Sequence, residues 1–282
     1  MPELPEVEVV RQGLGPLVVG RRVEAVAWSG KELREPVDRD GLRRQLVGWR
    51  FTGVARRAKY LLLATDHGAL LVIHLGMSGR LGLFAAAAPC HRHDHLRFLL
   101  DNGLEMRFND ARRFGSVQLF SAQALAACDP FAGLGPEPLG KTFTTAYLVA
   151  RGAGRRLPVK SFLMDSRVVV GIGNIYASEI LFAAAVHPLT PAGRLDRDQW
   201  QRVARAARTV LRRAIKAGGT TIADYVNAGG KPGYFQLQLA VYGRGGAPCR
   251  RCRRPIERTV LSGRATYFCP SCQQGLPHAP LS

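Results

Sequence analysis

Apolar and polar positions alternate in two rhythms, and the change between them divides the chain. Val7, Val10 and Leu14 recur at helical spacing and predict a short amphipathic helix near the start. Over residues 20–120 the pattern shortens. Segments such as RVEAVAW, KYLLLAT, ALLVIHLG and HLRFLL are brief, apolar and bounded by Gly or polar turns. Short strands recurring at about ten-residue spacing predict a β-sandwich. From 121 onward the texture turns Ala- and Leu-rich. Its clearest element is a helix over 200–216, with Trp200, Val203, Ala207, Val210, Leu211 and Ala214 on one face. Arg202, Arg205, Arg208, Arg212, Arg213 and Lys216 take up much of the remainder, either as a solvated face or as phosphate contacts.

The stretch GLGPEPLG at 133–140 places Gly and Pro where the rhythm changes. The sequence therefore predicts an α+β, multidomain chain: an N-terminal sandwich with flanking helices over 1–134, a helical domain over 135–240, and a small Arg- and Cys-rich module over 241–274. Residues 217–235 contain five glycines and read as a spacer or a mobile functional loop.

Charge narrows the partner. Forty Lys and Arg against twenty-one Asp and Glu give a net charge of +19. Such a field implies a polyanion, because each neutralised phosphate releases condensed counterions; an Arg-rich proteome is the plainer alternative. No apolar run approaches the roughly 20 residues of a membrane span, and MPELPEVEVV lacks the layout of a signal peptide. The expectation is a cytoplasmic protein, associated with the nucleoid through DNA.

Cys249 and Cys252 form one CxxC pair and Cys269 and Cys272 a second, with sixteen residues between them. Two such knuckles set four thiolates around one structural Zn²⁺ with no open coordination position. A redox dithiol or an iron–sulfur site is the alternative. So short a module has little core, so metal binding supplies most of its folding free energy. From Arg244 to Arg264, both included, there are seven arginines and one acid, Glu257, so the zinc would stiffen an arginine-bearing hairpin. Zinc ribbons also serve RNA- and protein-binding modules. Cys90 and Cys128 stand alone.

Loss of Met1 would free the secondary amine of Pro2. An α-amino group has a pKa near 7.7–8.0, against about 10.4 for Lys, so much more of it is nucleophilic at neutral pH. Condensed with the C1′ carbon of a sugar it gives an iminium, an electron sink that acidifies the C2′ proton and permits β-elimination. Glu3 and Glu6 lie close in sequence, and Glu3, adjacent to the amine, suits general acid–base work. Equally, acids are favoured in the first turn of a helix.

MPELPEVE at the start, RRAKYLLL (56–63), HLGMSGRL (74–81), DARRFG (110–115), GIGNIYASEILF (171–182), GKPGYFQLQLAVYGR (230–244) and GRATYFCPSCQ resemble the formamidopyrimidine-DNA glycosylases, in order and from residue 2 to about 274. PELPE rather than PEGPE separates the chain from the endonuclease VIII branch. The resemblance implies a bifunctional glycosylase and abasic-site lyase for oxidised purines such as 8-oxoguanine and formamidopyrimidines, cutting by β,δ-elimination. It implies a helix–two-turn–helix motif in the helical domain and a β-hairpin zinc finger. Pro2 would be the Schiff-base nucleophile, Glu3 the general acid, Lys59 the proton donor in β-elimination and Arg264 a phosphate clamp for δ-elimination. DNA contacts would come from Glu6, His74, His93, Arg112, Arg155 and Asn174, the last also a candidate helix N-cap. Met77, Arg112 and Phe114 would fill the gap left by an everted nucleotide, and 217–235 would close over the base.

Ala111 stands where the family often has Pro, and Ser78 occupies a variable position that touches the lesion pocket, which leaves lesion preference open. The implied partner is double-stranded DNA with oxidised purines or abasic sites, bound by a monomer. A non-catalytic zinc nucleic-acid-binding protein and a pyrimidine-preferring relative are the alternatives.

Overall fold

The computed structural model describes residues 2–218 and 239–274. Of these, 2–132 and 217–218 belong to one compact unit, and 133–216 and 239–274 to another. Met1 and nearly all of the Gly-rich 217–235 segment lie outside the described residues.

The first unit opens with α1 (Leu4–Val18), whose Leu4, Val7, Val10, Leu14 and Val18 are all buried. Each such side chain contributes about 1.5–3 kcal/mol on leaving water. Then come β1 (Val23–Trp28), α2 (Arg39–Leu46), β2 (Phe51–Arg57), β3 (Tyr60–Thr65), β4 (Leu70–His74), β5 (Arg80–Ala85), β6 (Asp94–Leu100), β7 (Leu104–Asn109), β8 (Ser116–Phe120) and α3 (Ala122–Ala127). Two four-stranded antiparallel sheets result, ordered β1-β6-β7-β5 and β2-β3-β4-β8. Alternation sets their inner faces: Leu61 and Leu63 on β3 and Leu96, Phe98 and Leu100 on β6 enter one core with Phe51, Ile73 and Val117. The sandwich expected over 20–120 is present.

The second unit contains α4 (Thr145–Gly152), α5 (Val159–Met164), α6 (Asn174–Ala184) and α7 (Arg197–Lys216), followed by a hairpin of β9 (Glu257–Leu261) and β10 (Arg264–Phe268). Trp200, Val203, Ala207, Leu211 and Ala214 of α7 are buried against Tyr176, Ile180 and Leu181 of α6, while Val210 is partly buried. Two α7 arginines bond to main-chain carbonyls. Arg202 Nε donates to the Ala184 carbonyl (3.1 Å), and Arg208 Nη2 to those of Phe143 (2.5 Å) and Gly140 (3.2 Å). They close helix and turn carbonyls; Arg208 is partly buried by this, which corrects its solvated reading, while Arg202 stays exposed. No helix among the described residues is long and apolar enough to cross a membrane.

Candidate active site and nucleic-acid interface

In the first unit, Pro2 is partly exposed and directly precedes two buried acids, Glu3 and Glu6. Pro5 fits the first turn because its missing N–H has no intrahelical partner there. Glu6 Oε2 accepts the Glu3 backbone N–H at 2.9 Å in a capping box, so these acids do structural work at the helix start.

Lys59 sits at the tip of the β2–β3 hairpin, where Arg57 pairs with Tyr60. Ala58 adopts a left-handed φ of 55°, which the tight turn requires. Arg56 joins this tip to α1: its Nη1 donates to the Ala58 carbonyl (2.9 Å) and its Nε to Glu8 Oε2 (3.0 Å). Burial by itself would raise the Glu8 carboxyl, but hydrogen bonds from Arg11 and Arg56 outweigh it and hold the group below its ordinary value. The Glu8–Arg56 pair therefore ties the helix that follows Pro2 to the hairpin bearing Lys59.

His74 ends β4 opposite Tyr60, with ring centroids 4.9 Å apart. Burial, then the cations of Lys59 and Arg34, push its pKa down to about 4. Its Nδ1 accepts the Gly76 N–H (3.1 Å), which leaves the proton on Nε2 of a neutral ring. His74 can donate a hydrogen bond to a phosphate but brings no charge to it.

Met77 and Phe114 are 43% and 45% exposed, so they are not core residues. The Arg112 guanidinium lies over the Phe114 ring at 4.7 Å. Their two loops touch through backbone: a Cβ on Gly76 would come within 2.4 Å of Gly115 N. His93 is partly buried just before β6, its ring 6.1 Å from that of His95.

In the second unit, Asn174 is the first residue of α6 and Gly173 takes the N-cap position, which corrects the capping alternative. The Asn174 side chain is used elsewhere. Its Oδ1 accepts from Lys160 Nζ (2.7 Å), and its Nδ2 donates to the Ala265 carbonyl on β10 (3.0 Å). Lys160, 1% exposed, also donates to Thr266 Oγ1 (2.7 Å) and the Ala265 carbonyl (3.1 Å). Arg264 begins β10 and is exposed. Arg155, also exposed, follows Gly154. Glu179 on α6 accepts three successive amides, from Ala240, Val241 and Tyr242, at 2.8–2.9 Å.

The four cysteine sulfurs lie within 4.8 Å of one another. Cys249–Cys272 and Cys252–Cys269 are 3.9 and 3.4 Å apart, close to the separation of about 3.8 Å for a tetrahedron of Zn–S bonds near 2.3 Å. Amides of Arg251 and Cys272 donate to Cys249 and Cys269 sulfurs (3.4 Å each), as thiolate knuckles require. These four residues hold one structural zinc; bound there, it cross-links the two knuckles. Sequence reasoning missed Glu8, Arg56, Asp110, Lys160 and Glu179, whose partners are mostly distant along the chain.

Family models for the formamidopyrimidine-DNA glycosylase N-terminal domain, its H2TH domain and the zinc finger found in FPG and IleRS match residues 1–117, 134–226 and 246–275. The formamidopyrimidine-DNA glycosylase of Syntrophotalea carbinolica is 49% identical over 278 residues, covering 97% of this chain and all of that one. A solved complex of a Lactococcus lactis FPG mutant with Fapy-dG-containing DNA superposes with a TM-score of 0.88 at 31% identity, over 97% of this chain and 100% of that one. A second, of Lactococcus lactis Fpg with abasic-site DNA, gives 0.88 at 32% identity over 96% and 99%. With three domain models matched in order along one chain, and nearly full-length identity to a relative, this protein belongs to the formamidopyrimidine-DNA glycosylase family.

Proposed function

We propose that this chain is a base-excision-repair glycosylase and abasic-site lyase for oxidised purines, working through Pro2. The observation that carries the reading is the tie between the Pro2–Glu3 terminus and the Lys59 hairpin through Glu8 and Arg56, in a chain of this family. After Met1 is removed, the Pro2 amine attacks C1′ of the damaged nucleotide and the bond to the base breaks, with Glu3 as acid toward the opening sugar. The resulting iminium draws electrons from the C2′–H bond, and the 3′ phosphate leaves. Lys59 handles the proton in that step. A second elimination expels the 5′ phosphate, whose charge Arg264 stabilises as a permanent cation. Glu6, His74, His93, Arg112, Arg155 and Asn174 are assigned to DNA, and Met77, Arg112 and Phe114 to the space vacated by the everted nucleotide.

The division into 1–134, 135–240 and 241–274, a cytoplasmic, nucleoid-associated location and action as a monomer belong to the same reading. The test is borohydride reduction during turnover of an 8-oxoguanine duplex. A covalent adduct mapped by peptide mass to Pro2 is expected. Absence of both adduct and base excision, with binding retained, would leave a non-catalytic binder as the better account, and full excision after Pro2→Gly and Glu3→Gln would remove both residues from the mechanism; a lesion panel separates purine from pyrimidine preference.

A further inference from the structure

Ser78 and Asp110 form a contact that the proposed chemistry does not use. Asp110 is fully buried, and its carboxylate joins two loops. Oδ1 accepts the Ser78 hydroxyl at 2.6 Å and the Arg112 N–H at 3.3 Å; Oδ2 accepts the Gly115 N–H at 2.8 Å. Ser78 Oγ in turn accepts the Arg112 N–H at 3.2 Å. One hydroxyl thus touches both the loop bearing Met77 and the loop bearing Arg112 and Phe114.

The carboxylate is itself held from behind. Asp110 N–H donates to the His93 carbonyl (3.0 Å), and its own carbonyl receives a hydrogen bond from His95 Nε2 (3.0 Å). That bond puts the His95 proton on Nε2, so Nδ1 accepts from the Ser29 hydroxyl (3.0 Å). The glycines at the loop crossing leave no slack, since a Cβ on Gly79 would lie 2.2 Å from the Leu75 carbonyl oxygen.

We infer that the Ser78–Asp110 clasp is a positioning device that pre-orders Met77, Arg112 and Phe114 for insertion into the duplex, and so sets how readily a paired lesion is everted. Two exposed apolar side chains on independent loops would each lose conformational freedom on entering a base stack. A clasp that fixes the loop separation beforehand removes part of that cost. A 2.6 Å hydrogen bond to a fully buried side chain whose other oxygen is already held by the Gly115 N–H can do so. This inference rests on the proposed wedge role of Met77 and Phe114.

The test uses the full zinc-loaded chain and two 8-oxoguanine duplexes carrying 2-aminopurine beside the lesion. In one the lesion is paired with cytosine; in the other it faces an abasic analogue and is already unpaired. Ser78→Ala should slow 2-aminopurine unstacking and single-turnover excision about tenfold with the paired lesion, and little with the unpaired one. Ser78→Thr, which keeps the hydroxyl, should restore the rate. Equal slowing on both duplexes would overturn the clasp as a positioning device, as would a wild-type rate for Ser78→Ala beside a slow Met77→Ala. A wild-type rate for Met77→Ala would overturn the wedge reading and the clasp with it.

Discussion

Burial and two cations act in the same direction on His74, and their combined effect is large enough to read in solution. Its pKa lies near 4 in the fold against an ordinary 6.5, so between those values the unfolded chain binds more protons than the folded one. Stability is therefore fully present above about pH 6.5 and declines as pH falls toward 4, by up to about 3 kcal/mol. Urea unfolding at about pH 7 and at about pH 4 should show the wild type losing that much more than His74→Gln; equal losses would remove the neutral-donor assignment. Its proximity to phosphate was expected from HLGMSGRL, but its protonation state was not. Burial sets it first, and the two cations that add to it, Lys59 and Arg34, come from a hairpin tip and a loop whose approach no local pattern announces. Asn174 shows the same gap: an Asn before IYASEILF reads as a cap, yet Gly173 takes that position and the amide reaches β10.

At the scale of elements, the lysine of α5 holds the start of α6 to β10. Lys160 is buried with Asn174 and Thr266 as partners, 14 and 106 residues away. Lys160→Met keeps the stem and removes the ammonium, leaving buried acceptors short of a donor. A loss of about 2–4 kcal/mol in urea unfolding is expected. Anisotropy with an abasic-analogue duplex should show weaker binding too, because Asn174 and the start of β10 lose their shared anchor. A variant as stable as wild type would show the lysine to be dispensable. Helix α7, the sandwich strands and the zinc spacing were legible because each rests on a short period or a fixed interval. Helix α2 was not: half of its eight residues are charged, and it buries only Gly41, Leu42 and Leu46. Nor was the order β1-β6-β7-β5, since alternation fixes which face of a strand is buried but not its neighbour.

For the whole molecule, the question is how much of the +19 charge meets DNA. If every unit of it neutralised a phosphate, log Kobs would fall with log salt at a slope of about −17. The fold argues for far less. Arg202 and Arg208 spend donors on main-chain carbonyls, while the pairs of Arg56 with Glu8 and of Arg97 and Arg107 with Glu105 join charges that already cancel within the net figure. Composition shows the charge but not this internal use of it, because the partners are set by the fold. The DNA contacts assigned here include two arginines besides Arg264, and His74 is neutral, so further contacts must come from exposed cations such as those on the β9–β10 hairpin. A slope near −6 is therefore expected, which lowers affinity on the order of 10³-fold between about 50 and 200 mM NaCl. Anisotropy titrations with an abasic-analogue duplex across that range measure it directly. A slope near −17 would mean that nearly every net positive charge meets a phosphate, and one shallower than about −2 would refute the polyanion reading of the charge.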